Sequence, residues 1–330
     1  MTTACILGVA GPQLDPEARR FYREADPWGF ILFARNIEDP DQVRSLTSAL
    51  RECVGRDAPI LVDQEGGRVQ RLGPPHWRRW VPPLEEVAGT PNSERVLWIR
   101  ARLMADELRA VGIDVNCAPT CDVARDETHP FLRNRCHGLS PDEVIRNARA
   151  VADGLLAGGV LPVMKHMPGH GRGQADSHRD LPVITATEAA LEDDFAPFHA
   201  LRDLPMGMTA HVVLSALSDR PATQDPEIVA LIRERIGFDG LLMTDDISME
   251  ALSGDIAERG ARSIKAGCDI VLHCNGVRSE MEDCLSSCGR LEGQSEERAA
   301  AALAMRPTPD PATIAELEAE FVALTARGDG

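Results

Sequence analysis

The stretch VLPVMKHMPGHGRGQADSH, residues 160–178, decides the fold prediction for this chain. It begins with a short apolar run, Val160–Met164, and continues with three histidines, a lysine, an arginine and an aspartate among glycines and a proline. Glycine and proline disfavour a helix, and no alternating strand pattern continues beyond His166. The stretch therefore predicts a buried strand that leads into a long polar loop, and such loops on a rigid scaffold commonly carry function.

Seven further apolar runs of similar length alternate with helix-forming segments along the chain. They are Ala4–Val9, Gly29–Phe33, Pro59–Val62, Ile113–Ala118, Met206–Ala210, Gly240–Met243 and Cys268–Leu272. Continuous apolar runs predict strands that are buried on both faces and therefore pair in parallel beneath helices. An eightfold alternation predicts an α/β fold, a single (β/α)8 TIM-type barrel, with a doubly wound open sheet as the alternative. We expect residues 1–330 to form one catalytic domain, because no segment has the composition of a linker.

Composition excludes several classes of partner and compartment. The chain has 330 residues, 43% of them hydrophobic, and a formal net charge of −17. Such an acidic protein is not expected to bind nucleic acid or an anionic membrane. Nine scattered cysteines predict reduced thiols, and neither a signal peptide nor an apolar run of about 20 residues is evident. We therefore expect a cytoplasmic protein.

Polar residues follow six of the eight predicted strands. Active sites of such barrels lie at the carboxyl ends of the strands, where loops meet. The residues at these ends are Arg35, Asn36, Asp63, Glu65, Asp122, Lys165, His166, His211, Asp245 and Asp246. Burying a charged group directly after a strand costs free energy unless the group is paired with another charge or serves a function. For any single residue, a structural ion pair explains the charge as well as a functional role does. Six cases predict a shared polar pocket of acids, cations and histidines.

One chemistry that fits this pocket is metal-assisted hydrolysis. His166, His170, Asp176 and His178 are residue types that bind metals. On a loop rich in glycine and proline, however, the spacing of His166 and His170 does not place both side chains on one face. The first strand also lacks the His-x-His expected of barrel metallohydrolases. The metal-dependent reading is therefore kept as an alternative.

The other chemistry is glycoside hydrolysis with retention, which needs a carboxylate nucleophile and a proton donor. Asp245 directly ends a strand and is the candidate nucleophile. Asp246 follows it and is expected to cap a helix over Ser248–Ala266 or to support the site. Asp176 and His178 point the same way in an extended segment, so that the carboxylate can orient the imidazole. A hydrogen bond that merely stabilises the loop is the alternative for this pair.

These residues resemble motifs of glycoside hydrolase family three, and most closely its bacterial β-N-acetylglucosaminidases of the NagZ type. KHMPGHG (165–171) followed by DSH (176–178) resembles the family's loop. The other matching motifs are FARN (33–36), DQEGGR (63–68), AP (118–119) with DV (122–123), MTAH (208–211) and LMTDDISM (242–249). The resemblance covers about residues 6–275, and no motif is assigned after Gly276.

The resemblance implies a single-domain barrel that removes terminal, non-reducing β-linked N-acetylglucosamine. It implies that Asp245 is the nucleophile and that His178, paired with Asp176, is the acid and then the base. The positions that match sugar-binding residues are Asp63, Arg71, Arg135, Lys165 and His166. The implied substrates are muropeptides, N-acetylglucosaminyl-1,6-anhydro-N-acetylmuramyl peptides, which are degraded in the cytoplasm during cell-wall recycling. No metal or other cofactor is implied, and we expect a monomer.

The loop departs from the family pattern at Gly171-Arg172-Gly173, where Asp-Thr often follows PGHG. We expect Arg172 to add a cation to a flexible lid and to alter contacts with the leaving group. The glycines are expected to supply hinge freedom for loop closure. Two further alternatives stay open on the sequence, namely phosphorolysis instead of hydrolysis and a sugar sensor without turnover.

Overall fold

A computed structural model describes residues 2–175 and 180–326. Its strands are β1 (Thr3–Gly8), β2 (Pro27–Leu32), β3 (Ile60–Val62), β4 (Gln64–Gly66), β5 (Val69–Gln70), β6 (Val115–Asn116), β7 (Leu161–Met167), β8 (Val183–Ile184), β9 (Met206–Thr209), β10 (Val213–Leu214), β11 (Leu241–Asp246) and β12 (Ile270–His273). In the described residues, eight of these strands form a closed parallel barrel in the order β1-β2-β3-β6-β7-β9-β11-β12. The last strand, β12, pairs in parallel with β1. This confirms the (β/α)8 prediction over the open sheet.

Helices surround the barrel. They are α1 (Pro16–Ala25), α2 (Pro40–Val54), α3 (Pro83–Ala88), α4 (Ser93–Arg109), α5 (Pro130–Arg133), α6 (Pro141–Ala157), α7 (Glu188–Ala200), α8 (Pro226–Glu234), α9 (Ile256–Ala266), α10 (Arg278–Cys288), α11 (Gly293–Ala304) and α12 (Ile314–Thr325). Several begin after a side chain that accepts a backbone N–H of the first turn, as Asp15, Asp39, Ser140, Thr187 and Asp255 do. Within the described ranges, no helix combines the length and apolar character needed to cross a membrane.

The strands alternate between two apolar environments. On β1, Ala4 and Ile6 belong to the cluster that fills the barrel interior. Cys5 and Leu7 belong to the cluster that packs beneath the helices. Strands buried on both faces explain why their sequences are continuously apolar and show no polar alternation. All nine cysteines are buried free thiols, as predicted.

The stretch after Gly276, to which the sequence assigned no motif, closes the base of the barrel. Leu291, together with Ala299 and Ala302 of α11, is buried in the cluster that fills the barrel interior. Leu317 of α12 packs in a separate cluster with Leu103 of α4. Leu291 and α11 therefore complete the core at the end of the barrel opposite the loops that carry the candidate site, whereas α12 packs outside the barrel against α4.

The predicted helix over Ser248–Ala266 is wrong at its beginning. Helix α9 begins at Ile256 and is capped by Asp255. The Asp246 carboxylate accepts hydrogen bonds from Ser248 N (3.0 Å), Ser248 Oγ (2.7 Å) and Cys274 N (3.1 Å). These bonds hold a turn against the end of β12, so Asp246 caps no helix. Support of the site, the other role that the sequence allowed, stays a prediction.

Candidate active site

A cavity opens at the carboxyl ends of the barrel strands. Its lining residues are Ile31, Phe33, Asp63, Val69, Arg71, Phe131, Arg135, Lys165, His166, His170, Met208, Asp245, Asp246, Met249, Leu272 and Cys274. The fold thus brings together six of the eight predicted site residues. The remaining two, Asp176 and His178, lie outside the described residues.

Lys165 lies on β7 between two carboxylates. Its Nζ is 2.9 Å from Asp63 Oδ1 and 2.6 Å from Glu65 Oε1, and the side chain is 2% exposed. Burial opposes the charge on Lys165, but the two carboxylates outweigh burial and raise its pKa. The same pairing outweighs the burial of Asp63 and lowers its pKa to about 2. Lys165 is therefore a fixed cation and Asp63 a fixed anion across the neutral range.

Arg135 shares Glu65 with Lys165. Its Nε and Nη2 donate to Glu65 Oε2 and Oε1, both at 2.8 Å, in a bidentate pair. Burial alone would raise the pKa of Glu65, but the Arg135 and Lys165 charges lower it well below its usual value. Glu65 thus holds both cations at the cavity wall.

His166 is oriented by a buried carboxylate. Its Nδ1 lies 2.7 Å from Asp122 Oδ2. Burial opposes the charge on Asp122, but His166 and the His170 backbone N–H lower its pKa, so it stays ionised and can only accept. His166 therefore donates from Nδ1 to Asp122, and its Nε2 lies 3.4 Å from Arg135 Nη2.

Asp245, at the end of β11, is kept ionised. Burial of its carboxyl is outweighed by His166, by His211 and by the backbone N–H of Asp246, so its pKa is lowered. That N–H donates to Asp245 Oδ1 at 2.8 Å. His211 supports the same strand end, since its Nε2 lies 2.9 Å from Asp246 O. A carboxylate held in this way suits nucleophilic attack.

Two aromatic rings of the cavity lining, Phe33 and Phe131, each have an arginine beside them. Arg71 Nη2 lies 3.1 Å from Asp63 Oδ2, and its guanidinium carbon is 5.0 Å from the centre of the Phe33 ring. The guanidinium carbon of Arg68 lies 3.5 Å from the centre of the Phe131 ring. These contacts fix the positions of flat apolar surfaces beside the charged groups.

Two of the polar residues at strand ends serve the fold. Arg35 donates through Nε to Val9 O at 2.8 Å and also bonds Cys274 O. Asn36 Nδ2 donates to Val9 O and Gly11 O, both at 2.9 Å. These side chains join β1, β2 and β12 at the rim, so for this strand the structural reading is the correct one.

The glycines at the start of the loop are packed, contrary to the expected hinge. A Cβ on Gly171 would lie 2.1 Å from Val123 O, and one on Gly169, whose φ is +138°, would lie 2.9 Å from Asp194 Cβ. Thr128 Oγ1 donates to Gly171 O at 2.5 Å, and His129 N donates to Gly173 O at 3.1 Å. These glycines permit close approach of backbone and neighbours.

Arg172 also differs from expectation, because its charge is paired away from the cavity. Its Nε lies 2.5 Å from Asp194 Oδ2. Burial raises the pKa of Asp194, and the guanidinium groups of Arg172 and Arg125 oppose that effect.

The histidines of the loop are not gathered as metal ligands where the structure describes them. His166 Nδ1 is engaged by Asp122, and burial lowers the pKa of His170 to about 4. Across residues 2–175 and 180–326, no three His, Cys, Asp or Glu side chains are arranged to hold a metal ion.

Glu65 and Asp122 are the site residues that the prediction underrated. Both appeared among the polar strand ends, but neither was assigned a role. A signal was available for Glu65, since it lies two residues after Asp63 and such residues point to the same side of an extended segment. Asp122 had no local signal, because its partners His166 and His170 come from another strand and its loop.

Comparison with known proteins identifies the family. The glycosyl hydrolase family 3 N-terminal domain matches residues 23–303. A β-hexosaminidase of Methylococcus capsulatus is 39% identical over 282 residues, 82% of each chain. A β-hexosaminidase of Pseudomonas aeruginosa is 35% identical over 297 residues, 88% of each chain. The crystal structure of NagZ from Neisseria gonorrhoeae aligns with a TM-score of 0.84 and 29% identity over 98% of this chain and 96% of that one.

The chain therefore belongs to glycosyl hydrolase family 3 and is a glycosidase. This confirms the resemblance identified from the motifs.

Proposed function

We propose that this glycosidase is a retaining β-N-acetylhexosaminidase that removes terminal, non-reducing β-linked N-acetylglucosamine. The observation that carries the proposal is the ionised Asp245 carboxylate at a cavity lined by Asp63, Arg135 and Lys165. Relatives at 39% and 35% identity are named β-hexosaminidase, which supports the same reaction. We further propose that residues 1–330 act as one cytoplasmic, monomeric catalytic domain without a cofactor.

The natural substrates would be muropeptides, N-acetylglucosaminyl-1,6-anhydro-N-acetylmuramyl peptides released in cell-wall recycling. This finer assignment rests on the family resemblance. The charges of the cavity are compatible with it, because the Asp63 carboxylate accepts bonds from sugar hydroxyls and fixed cations donate to hydroxyl or acetamido oxygens. Arg71 and His166 would complete these contacts.

The reaction would proceed by double displacement. Asp245 attacks the anomeric carbon and forms a glycosyl-enzyme, while protonated His178 gives its proton to the leaving oxygen. Asp176 orients the imidazole. Neutral His178 then takes a proton from water, which attacks the anomeric carbon, displaces Asp245 and releases the sugar with retained configuration.

Trapping of the intermediate tests this proposal. Incubation with 5-fluoro N-acetylglucosaminyl fluoride followed by mass spectrometry should label one peptide, the one that contains Asp245. Asp245→Ala should take no label and lose roughly 10⁴-fold or more in turnover. An active enzyme that is labelled elsewhere, or never labelled, would contradict the assignment of Asp245.

Two further measurements separate the alternatives. Product analysis in buffers with and without phosphate distinguishes hydrolysis, which yields free N-acetylglucosamine, from phosphorolysis, which yields its 1-phosphate. Dialysis against a chelator should leave activity unchanged, and a loss restored by metal would favour the metallohydrolase.

A further inference from the structure

Three charged side chains from separate segments meet where the loop leaves β7. Arg172 donates through Nε to Asp194 Oδ2 at 2.5 Å and through Nη2 to Ala190 O at 3.0 Å. Arg125 donates through Nη2 to the other oxygen, Asp194 Oδ1, at 3.0 Å. The Asp194 side chain is only 4% exposed. Because Asp194 and Ala190 lie on α7, this cluster of Arg125, Asp194 and Arg172 joins the start of the loop to the helix that follows it.

The backbone fixes both ends of the central part of the loop. At the start, His129 N donates to Gly173 O at 3.1 Å. At the far end, Val213 N donates to Pro182 O at 2.9 Å, and β8 pairs with β10. Gly173 and Pro182 are therefore each held by a neighbouring element.

Arg172 is suited to positioning and not to binding. Within the described residues, the side chains that line the cavity do not include Arg172. Both oxygens of its partner Asp194 are occupied, and a buried carboxylate that loses one of two cations is left poorly compensated. Removal of the Arg172 guanidinium should therefore release the loop start from α7.

We infer that Arg172, held by Asp194 and Arg125, is a positioning residue that sets where the segment carrying the general acid begins. This inference rests on the proposed function, in which His178 is that acid. Proton transfer requires the donor within hydrogen-bond reach of the leaving oxygen, and a misplacement of about 1 Å can cost about a hundredfold in rate. Leaving groups that need no proton escape this penalty.

The test compares two aryl N-acetyl-β-glucosaminides, 2,4-dinitrophenyl and unsubstituted phenyl, with wild-type enzyme, R172A, R172K and D194N. We expect R172A and D194N to lower kcat/KM for the phenyl glycoside by roughly tenfold or more and that for the dinitrophenyl glycoside by less than about threefold. R172K, which retains a cation for Asp194, should recover most of the loss. The ratio of the two rates does not depend on the folded fraction, so partial unfolding cannot imitate the result.

The matched control is R235A, which removes an arginine from Glu188 and Glu192 on the exposed side of the same helix. It should leave the ratio unchanged. In a double-mutant cycle, R172A should add no further loss to H178A, because the residue acts through His178. Equal losses on both glycosides, no loss, or additive losses in the cycle would overturn the inference. A wild-type enzyme inactive on both glycosides would instead refute the proposed function, and this inference with it.

Discussion

Glu65 holds the two cations Arg135 and Lys165 in position at the cavity wall. It pairs with Arg135 through both oxygens and with Lys165 at 2.6 Å. It need not touch substrate to matter, because without it Arg135 has no carboxylate at its two nearest donors. Glutamine has nearly the same shape as glutamate, so replacing Glu65 by glutamine tests the role of its charge alone.

We predict that Glu65→Gln destabilises the protein by about 3 kcal/mol and raises KM more than it lowers kcat. The physical reason is that removal of one partner leaves buried cations uncompensated. Urea denaturation measures the first effect and steady-state kinetics the second. Glu320→Gln, which breaks an exposed pair with Arg95, is the control and should cost less than about 1 kcal/mol. Comparable results for the two variants would remove Glu65 from this role.

At the scale of an element, the start of the β7 loop is a packed structure. Gly171 is buried against the Val123 carbonyl, and its oxygen accepts the Thr128 hydroxyl. A hinge would tolerate a methyl group here, whereas a close contact would not.

We therefore predict that Gly171→Ala lowers the free energy of unfolding by about 1–3 kcal/mol, the usual cost of overpacking, and reduces activity on phenyl glycosides. Chemical denaturation and kinetics provide the readouts. Gly11→Ala is the matched change, because a Cβ there meets nothing within 4 Å. If both variants behave alike, the close contact between Gly171 and Val123 is not needed for stability or activity.

The sequence predicted the elements more fully than their contacts. Eight apolar runs were enough to predict the barrel, because strands buried on both faces have a distinctive composition. The positions of the strand ends were enough to predict that Lys165 and Asp245 lie in the same site. What it could not predict depends on distant partners. Asp246 was predicted to cap a helix or to support the site, because its bond to Cys274 comes from the end of another strand. Gly171 was predicted to be part of a hinge, because Val123 lies on another loop.

At the scale of the whole molecule, buried neutral histidines link stability to pH. Burial lowers the pKa of His137 and of His170 to about 4 each. In the unfolded chain they titrate near 6.5, so the unfolded state binds more protons below that pH. The contribution of these two histidines to the free energy of unfolding is thus fully present above pH 6.5, and it is lost progressively as the pH falls to about 4.

We predict that the free energy of unfolding falls between pH 7 and pH 5 by about 2 kcal/mol for each of these histidines. Urea titrations at several pH values measure this slope. His137→Gln should flatten it, whereas His76→Gln, at an exposed position, should not. A slope unchanged by the His137 variant would show that other groups govern the acid response. Asp63, with its pKa of about 2, adds a separate loss only below about pH 4.

The pairing of β1 with both β2 and β12 has a consequence for synthesis on the ribosome. β2 emerges soon after β1, but β12 and the α11 residues that close the barrel base are translated much later. Until then β1 and β11 carry unpaired edges, and the interior is open below. Premature termination or a stalled ribosome late in the message would therefore yield an aggregation-prone fragment. The barrel can close only once β12 has been translated.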